Sequence, residues 1–466
     1  MQTRRSTKKT PASHAGHRPS ELCLTIEDVN KEGLGIAHSH GRLVLVFDAL
    51  PGERLKVRVD HFGENRIIAT TLRVLKPSKS RTSANPCPHF RSCQGCPLLS
   101  WDGSAQLDFK TDTLITALKR YPELAELTPA DIWAAPQTVG YRASAKLAVS
   151  RDFGKTRIGL YRRHSHAVTD ISACPVHHPL INKIVKIVQE QMDQIGVLPF
   201  NPHDGSGLLR YVLVRINPLQ KKAMVTFVTA ERNYRELTRL AKKLQQKAPE
   251  VVSIHQNINA SSGNVILGRD TVRLMGFPDL VDQVGDVRLR LGPTSFLQVH
   301  HAQAAKIYRL VRQWSECRAG ESALDLYCGV GGISLHLASV AGQVVGIEVV
   351  TEAARHAQAN ARLNGFDNCQ FFAGDVAKLL NSNLKLPGRF GTVVLNPPRS
   401  GCDDQVLAGV AQLRPRTLIY VSCHPETLAR DLAQLHKYGF QVAELQPVDM
   451  FPQTPHIETV ARLVAR

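Results

Sequence analysis

Two residues near the end of the chain, Cys423 and Glu458, have the types that covalent catalysis needs. Cys423 stands in Tyr420-Val421-Ser422-Cys423-His424-Pro425, after an apolar run that reads as a strand. Glu458 closes the string Met450-Phe451-Pro452-Gln453-Thr454-Pro455-His456-Ile457-Glu458. A thiolate adds to an electron-poor carbon, and a carboxylate then removes a proton from the neighbouring atom. Alone, such a cysteine reads as a small buried apolar residue and Glu458 as a surface carboxylate. Their company changes that reading. Asn396-Pro397-Pro398-Arg399 also follows a strand-like run, and the segment from Asp325 through Cys328-Gly329-Val330-Gly331-Gly332 to Ser334 leads from a strand into a helix. Glycines there let a ligand approach the backbone. Glu348, ~20 residues on at the end of a second strand, suits ribose hydroxyls. A dinucleotide fingerprint needs a third glycine where Ser334 stands, and Asp325 fits an S-adenosylmethionine site better.

A second group is Cys87-x5-Cys93-x2-Cys96, set between Pro86 and Pro97. Three thiols so close suggest a soft-metal site with a fourth ligand elsewhere. Spacing alone fits zinc and an iron–sulfur cluster equally. His89 is a rival ligand, read with His177 and His178 as a bystander. Cys23, Cys317, Cys328, Cys369 and Cys402 read as small structural residues.

The elements that must position these groups fall into three textures. After Pro293, strands at 323–327, 344–349, 392–395 and 418–421 alternate with helices, the pattern of a doubly wound, Rossmann-like sheet. Residues at the carboxyl ends of such strands face the ligand crevice, so Asn396 and Cys423 are expected in one pocket. From 140 to 291 strand-like runs dominate, with helices near 179–195 and 231–247. Leu107, Leu114, Ile115 and Leu118 mark an earlier helix near 104–120, expected to pack on the catalytic part. Between 22 and 74, short alternating runs broken by Gly33, Gly35, Gly41 and Pro51-Gly52 fit a five-stranded β-barrel of the oligonucleotide-binding kind. Residues 1–20, with Arg4, Arg5, Lys8, Lys9 and Arg18 and no acid, read as a disordered basic tail.

Composition is consistent with this plan. A length of 466 residues implies two to four domains. The 58 Lys and Arg against 40 Asp and Glu leave a net charge of +18, which favours a polyanionic partner. No apolar run approaches the roughly 20 residues of a membrane span, and no signal peptide is expected. Ten cysteines without an export signal point to reduced thiols in the cytoplasm.

Together these residues resemble the RNA 5-methyluridine methyltransferases, in particular the branch that methylates uracils of bacterial 23S ribosomal RNA and carries a TRAM domain. The resemblance covers nearly everything after residue 20. Gly33-x-Gly35-Ile36-Ala37 and Ala49-Leu50-Pro51-Gly52-Glu53 look like the TRAM barrel; Gly140-Tyr141-Arg142 and Gln256-Asn257-Ile258-Asn259 look like the central domain; Phe296-Leu297-Gln298-Val299 opens the catalytic part. It implies boundaries of 21–78, 79–290 and 291–466 for those domains. It implies Cys423 as the nucleophile on C6 of uracil and Glu458 as the base that removes the C5 proton. The implied cofactor contacts are Gln298, Tyr327, Glu348, Asp375 and Asn396, with Gly329 and Gly332 beside them; the family more often has aspartate at the position of Asn396. It also implies Cys174 as the fourth ligand of a [4Fe–4S] cluster with Cys87, Cys93 and Cys96, and zinc is the alternative. The expected partner is structured RNA, bound by a monomer.

Rival readings make distinct demands. An RNA 5-methylcytosine methyltransferase needs a second cysteine just after the proline of the first motif, where Pro398-Arg399 stands. An amino-group methyltransferase usually has an aromatic residue at Arg399. A non-catalytic RNA-binding factor would leave Cys423 and Glu458 without a task. Transfer RNA is the alternative substrate.

Overall fold

The computed structural model describes residues 19–466 except 40, 94, 163–166, 234, 262, 264, 319 and 381–388. Most of the basic tail therefore lies outside the described residues. The chain divides into two compact units, 1–83 and 84–466.

The first unit contains β1 (Glu21–Thr25), β2 (Asp28–Val29), β3 (Gly35–Ser39), β4 (Arg42–Phe47), β5 (Arg54–Phe62) and β6 (Arg66–Lys76). They form one sheet in the order β1-β5-β6-β4-β3-β2. It has six strands where the pattern predicts five, because a two-residue strand such as β2 leaves no alternation to read. Ile26, Val44, Val46, Leu55, Val57 and Ile67 fill its core. Gly35 allows close packing there: a Cβ would fall 2.7 Å from that of Ala49. Arg81 donates to both oxygens of the buried Glu53, at 2.6 and 2.8 Å, and to Asp48 at 2.8 Å. That fork joins the end of the unit to its 48–53 turn.

The second unit opens with α1 (Phe90–Cys93) and α2 (Gly103–Leu118), the latter capped by Asp102, which accepts from Ala105 N. Next come β7 (Ser144–Asp152), β8 (Lys155–Tyr161), β9 (Val168–Asp170), α3 (Pro179–Ile195), β10 (Leu209–Asn217), β11 (Lys222–Thr229), α4 (Arg235–Lys247), β12 (Val251–Ile258) and β13 (Asp270–Gly276). Their sheet runs β13-β12-β11-β10-β7-β8-β9, and α3 and α4 bury Ile181, Val188, Leu237 and Leu244 against one face. A hairpin, β14 (Leu280–Val284) with β15 (Val287–Leu291), follows.

The rest is α5 (His301–Ser315), β16 (Ser322–Leu326), α6 (Gly332–Ala338), β17 (Gln343–Glu348), α7 (Thr351–Leu363), β18 (Cys369–Ala373), α8 (Val376–Leu380), β19 (Phe390–Leu395), α9 (Asp404–Gln412), β20 (Thr417–Ser422), α10 (Pro425–Lys437), β21 (Phe440–Val448) and β22 (Glu458–Ala465). The sheet order is β18-β17-β16-β19-β20-β22-β21. β16 to β20 are parallel, whereas β22 runs antiparallel to both neighbours. Alternate side chains feed two cores. Leu324, Val393 and Leu418 meet α2, α9 and α10 on one face; Ala323, Val394 and Ile419 meet α5 and α6 on the other. Each buried leucine or valine contributes roughly 1.5–3 kcal/mol. No helix among the described residues is long and apolar enough to cross a membrane.

Candidate active site

The chain order reverses at β16, whose neighbours β17 and β19 lie on opposite sides. That opens a crevice at the carboxyl ends of the parallel strands. Tyr327 and Gly329 follow β16, Glu348 ends β17, Asp375 follows β18, Asn396 follows β19 and Cys423 follows β20. The amino end of the antiparallel β22 lies at the same edge. Ser422 pairs with Thr459, which puts Cys423 and Glu458 one step beyond the ladder.

The loop after β16 is tightly specified. Tyr327, Gly329 and Gly331 have φ of 64°, 57° and 89°, the left-handed region that costs a non-glycine residue energy. A Cβ on Gly329 would meet no atom within 4 Å, so the space beside this backbone is open. Glu348 closes the loop from the other side. Its carboxylate accepts from Gly329 N at 3.0 Å and Val350 N at 2.8 Å, leaving lone pairs for hydroxyl donors. Asp325 lies fully buried beneath and accepts from Ser334 Oγ at 2.5 Å. Burial pushes its pKa up to about 7. Asp325 therefore braces the loop from below.

Of the other expected contacts, Asp375 and Asn396 follow strands of this sheet and Gln298 lies in the segment before α5. Gln298 and Asn396 are half-buried, and Asn396 N donates to Leu326 O at 3.3 Å. Asp375 is exposed and accepts from Lys378 N at 3.0 Å, capping α8.

Cys423 is half-buried, and burial followed by the charge of Glu458 raises its thiol pKa, whereas Arg399 lowers it by charge and hydrogen bonding. Glu458 is buried, and burial pushes its pKa up to about 8 against the pull of Arg399. Its Oε2 has no hydrogen-bond partner among the described residues. Arg399 also lies 3.5 Å from His456 Nε2. His456 is exposed at the surface, and partial desolvation followed by the charge of Arg399 lowers its pKa to about 4, which leaves the imidazole neutral. Thiol, carboxyl and guanidinium thus form one electrostatic group at the edge of β20 and β22. Sequence reasoning used Arg399 only to exclude a rival and missed its place in this group. The available signal was a cation directly after Asn396-Pro397-Pro398. Tyr308 was missed as well; buried on α5, it lies within electrostatic reach of Asp325 and Glu458.

The loop from β21 to Glu458 is gripped from distant parts of the chain. The buried Lys110 donates to Asp449 Oδ1 at 2.5 Å and to Phe451 O at 3.1 Å. Gln106 and Gln453 exchange two hydrogen bonds of 2.9 Å. Tyr141 donates to Pro452 O and Leu98 N to Gln453 O, both at 3.1 Å.

Cys87, Cys93, Cys96 and Cys174 line one cavity, with His89, Phe90 and Ile171. None is in a disulfide. Burial, together with the charges of the other thiols, raises Cys93 to about 11 and Cys96 to about 12. His178 caps α3 instead, accepting from Leu180 N at 3.2 Å. Among the described residues no group of three or more His, Cys, Asp or Glu side chains is placed to hold a metal ion.

Comparison with known proteins adds four findings. The sequence profile described as tRNA (Uracil-5-)-methyltransferase matches residues 102–466. An uncharacterised RNA methyltransferase of Geobacter sulfurreducens is 44% identical over 100% of this chain and 94% of its own length. One of Halalkalibacterium halodurans is 35% identical over 94% and 96%. Among solved structures, the tRNA (uracil-54, C5)-methyltransferase of Pyrococcus abyssi in complex with S-adenosyl-L-homocysteine superposes with a TM-score of 0.75. It is 28% identical and covers 95% of this chain and 99% of its own.

Proposed function

Because this chain belongs to the tRNA (uracil-5-)-methyltransferase family and is an S-adenosylmethionine-dependent RNA methyltransferase, we propose that it methylates C5 of one uracil through a covalent Cys423 adduct. The observation that carries this reading is the register of β20 with β22, which sets Cys423 beside Glu458 at the crevice edge. S-adenosylmethionine supplies an electrophilic methyl group. Gly329, Gly332, Glu348, Tyr327, Gln298, Asp375 and Asn396 are the proposed residues that hold it. Cys423 adds to C6 of the ring, which makes C5 nucleophilic. After transfer, Glu458 takes the C5 proton and the C6–sulfur bond breaks, returning the thiolate. Arg399 favours the thiolate by charge and hydrogen bonding. A paired uracil hides its C6, so the target leaves its stack.

In this reading 21–78 is a TRAM RNA-binding barrel, 79–290 a central domain and 291–466 a Rossmann-like catalytic domain, after a basic tail at 1–20. The proposed substrate is 23S ribosomal RNA, bound by a cytoplasmic monomer. Transfer RNA is the second reading, favoured by the description of the family profile and by the Pyrococcus abyssi enzyme. The four cysteines are proposed to hold a [4Fe–4S] cluster, a reading supported by their convergence on one cavity, although as placed they form no group able to hold a single metal ion; zinc is the alternative four-thiolate occupant. Such a cluster would clamp the segment from which Leu98 grips the 449–457 loop. Anaerobic purification should yield a brown protein with visible absorption, iron and sulfide. A colourless protein containing zinc would replace the cluster with the alternative.

The test uses 5-fluorouracil-substituted 23S and transfer RNA with S-adenosylmethionine. Fluorine at C5 cannot leave as a proton, so the protein should become trapped on its substrate. An adduct absent from Cys423→Ala, with RNA affinity retained, is the expected result. Trapping on transfer RNA alone would change the substrate, and trapping on neither would overturn the mechanism.

A further inference from the structure

Arg399 sits in the turn that runs from Asn396, after β19, to Asp403, before α9. Its side chain is exposed, and a free arginine samples many rotamers. The guanidinium can act steadily on the Cys423 thiol only if the backbone that carries it is held.

The sequence of α10 provides that hold. Thr427, Arg430 and Asp431 stand at i, i+3 and i+4, which puts them on one face of the helix. Thr427 Oγ1 donates to Arg399 O at 3.1 Å. Arg430 donates to Ser400 O at 2.9 Å and to Cys402 O at 3.3 Å. Asp431 accepts from Cys402 N at 2.7 Å. Gly401 N closes the turn on Pro398 O at 2.9 Å. A side chain at Gly401 is excluded twice over: its φ is 76°, and a Cβ would fall 2.5 Å from both the Arg430 guanidinium and Asp431 Oδ2.

Asp431 is the centre of this contact. It is only 1% exposed, and a buried carboxylate is costly unless donors surround it. Besides Cys402 N, its Oδ2 accepts from Tyr420 OH at 2.5 Å and its Oδ1 from Arg430 Nε at 2.8 Å. Burial, then the charges of Cys402 and Asp431, keep the Tyr420 phenol protonated and so a donor. Tyr420 lies on β20, and Cys423 lies between the end of β20 and the start of α10. Asp431 therefore ties the Arg399 turn to both elements that flank the thiol. The charged groups facing that thiol are Glu458, at the start of β22, and Arg399.

We propose that Asp431 is a positioning residue, which fixes the 399–402 turn so that the Arg399 guanidinium stays beside the Cys423 thiol. The proposal rests on the reading of Cys423 as the nucleophile and adds what keeps it activated. An apolar residue could fill the same place in α10, but it would leave Cys402 N without its acceptor and Arg430 without its anchor.

The experiment follows iodoacetamide alkylation of Cys423 against pH in the purified full-length protein, with the Cys423 peptide read by mass spectrometry. Only the thiolate reacts. Removing the negative charge of Asp431 would by itself favour the thiolate and speed the reaction. Release of the turn acts in the opposite direction. Below the midpoint of the profile, Asp431→Asn should slow alkylation about threefold or more, equivalent to an upward shift of about half a pH unit. The plateau at high pH should match the wild type, because access to the thiol is unchanged. Thr427→Val alters no charge and should slow alkylation in the same sense, which keeps the test open if Asp431→Asn does not fold. Arg399→Met should slow it at least as much as Asp431→Asn. Adding Asp431→Asn to Arg399→Met should then cause no further slowing, because one acts through the other. Unchanged or faster alkylation in Asp431→Asn, even with a lower thermal midpoint, overturns the proposal. So does a wild-type profile in Thr427→Val, or further slowing in the double variant. A Cys423→Ala protein that still methylates RNA would instead remove the proposed function and leave the alkylation result standing, so the two failures are distinguishable.

Discussion

At Cys423 three influences compete: burial and Glu458 hold the thiol protonated, and Arg399 opposes both. Glu458, pushed up to about 8 by burial, is largely protonated at neutral pH. A base must be ionised to accept a proton, so its active fraction grows as pH rises through its raised pKa. The rate of the steps after methyl transfer should therefore climb from pH 6.5 to roughly 8.5. Glu458→Gln should lose that climb and accumulate a covalent adduct on ordinary RNA, visible on a denaturing gel. A variant that releases its RNA at the wild-type rate would remove Glu458 from the base role. Glu348 makes a different prediction. Glu348→Ala removes the acceptor for the Gly329 and Val350 amides. Calorimetry should show S-adenosylmethionine affinity falling by tenfold or more, at about 1.4 kcal/mol per decade, with oligouridylate affinity unchanged.

At the level of elements, the 449–457 loop shows how long-range contacts set a catalytic group. Lys110 is fully buried on α2, and its ammonium neutralises Asp449. Removing one member of such a pair strands a buried charge, at a cost of about 3–5 kcal/mol. Lys110→Met should lower the urea midpoint accordingly, and adding Asp449→Leu should recover most of the loss, because two apolar side chains leave no orphaned charge. Full additivity of the two single losses would show that the residues act separately. Four of the five parallel strands of this region were legible because buried parallel strands are continuous apolar runs such as Val393, Val394 and Leu395. β18, β21 and β22 escaped notice. β18 and β21 are edge strands whose partly exposed residues break the pattern, and β22 is recognisable only once its neighbours are known.

Over the whole molecule, a net charge of +18 makes affinity for RNA a function of salt. Wild-type binding should weaken by about a hundredfold or more between 50 and 200 mM salt if six or more phosphates are neutralised; a flat response would show that charge serves solubility alone. The sequence by itself determined the chemical repertoire: a thiol after a strand, a glycine loop followed by Glu348, three clustered cysteines and an excess of cations. These signals are local, carried by residue type and short spacing. Only the tertiary structure decided which of them meet. An antiparallel final strand brings Glu458 to the end of β20, Cys174 joins a triplet more than 70 residues earlier in the sequence, and Arg399 and Tyr308 enter the neighbourhood of Glu458 from separate elements. The physical reason is that strand pairing and helix packing depend on contacts between distant segments, whose partners cannot be read from local spacing.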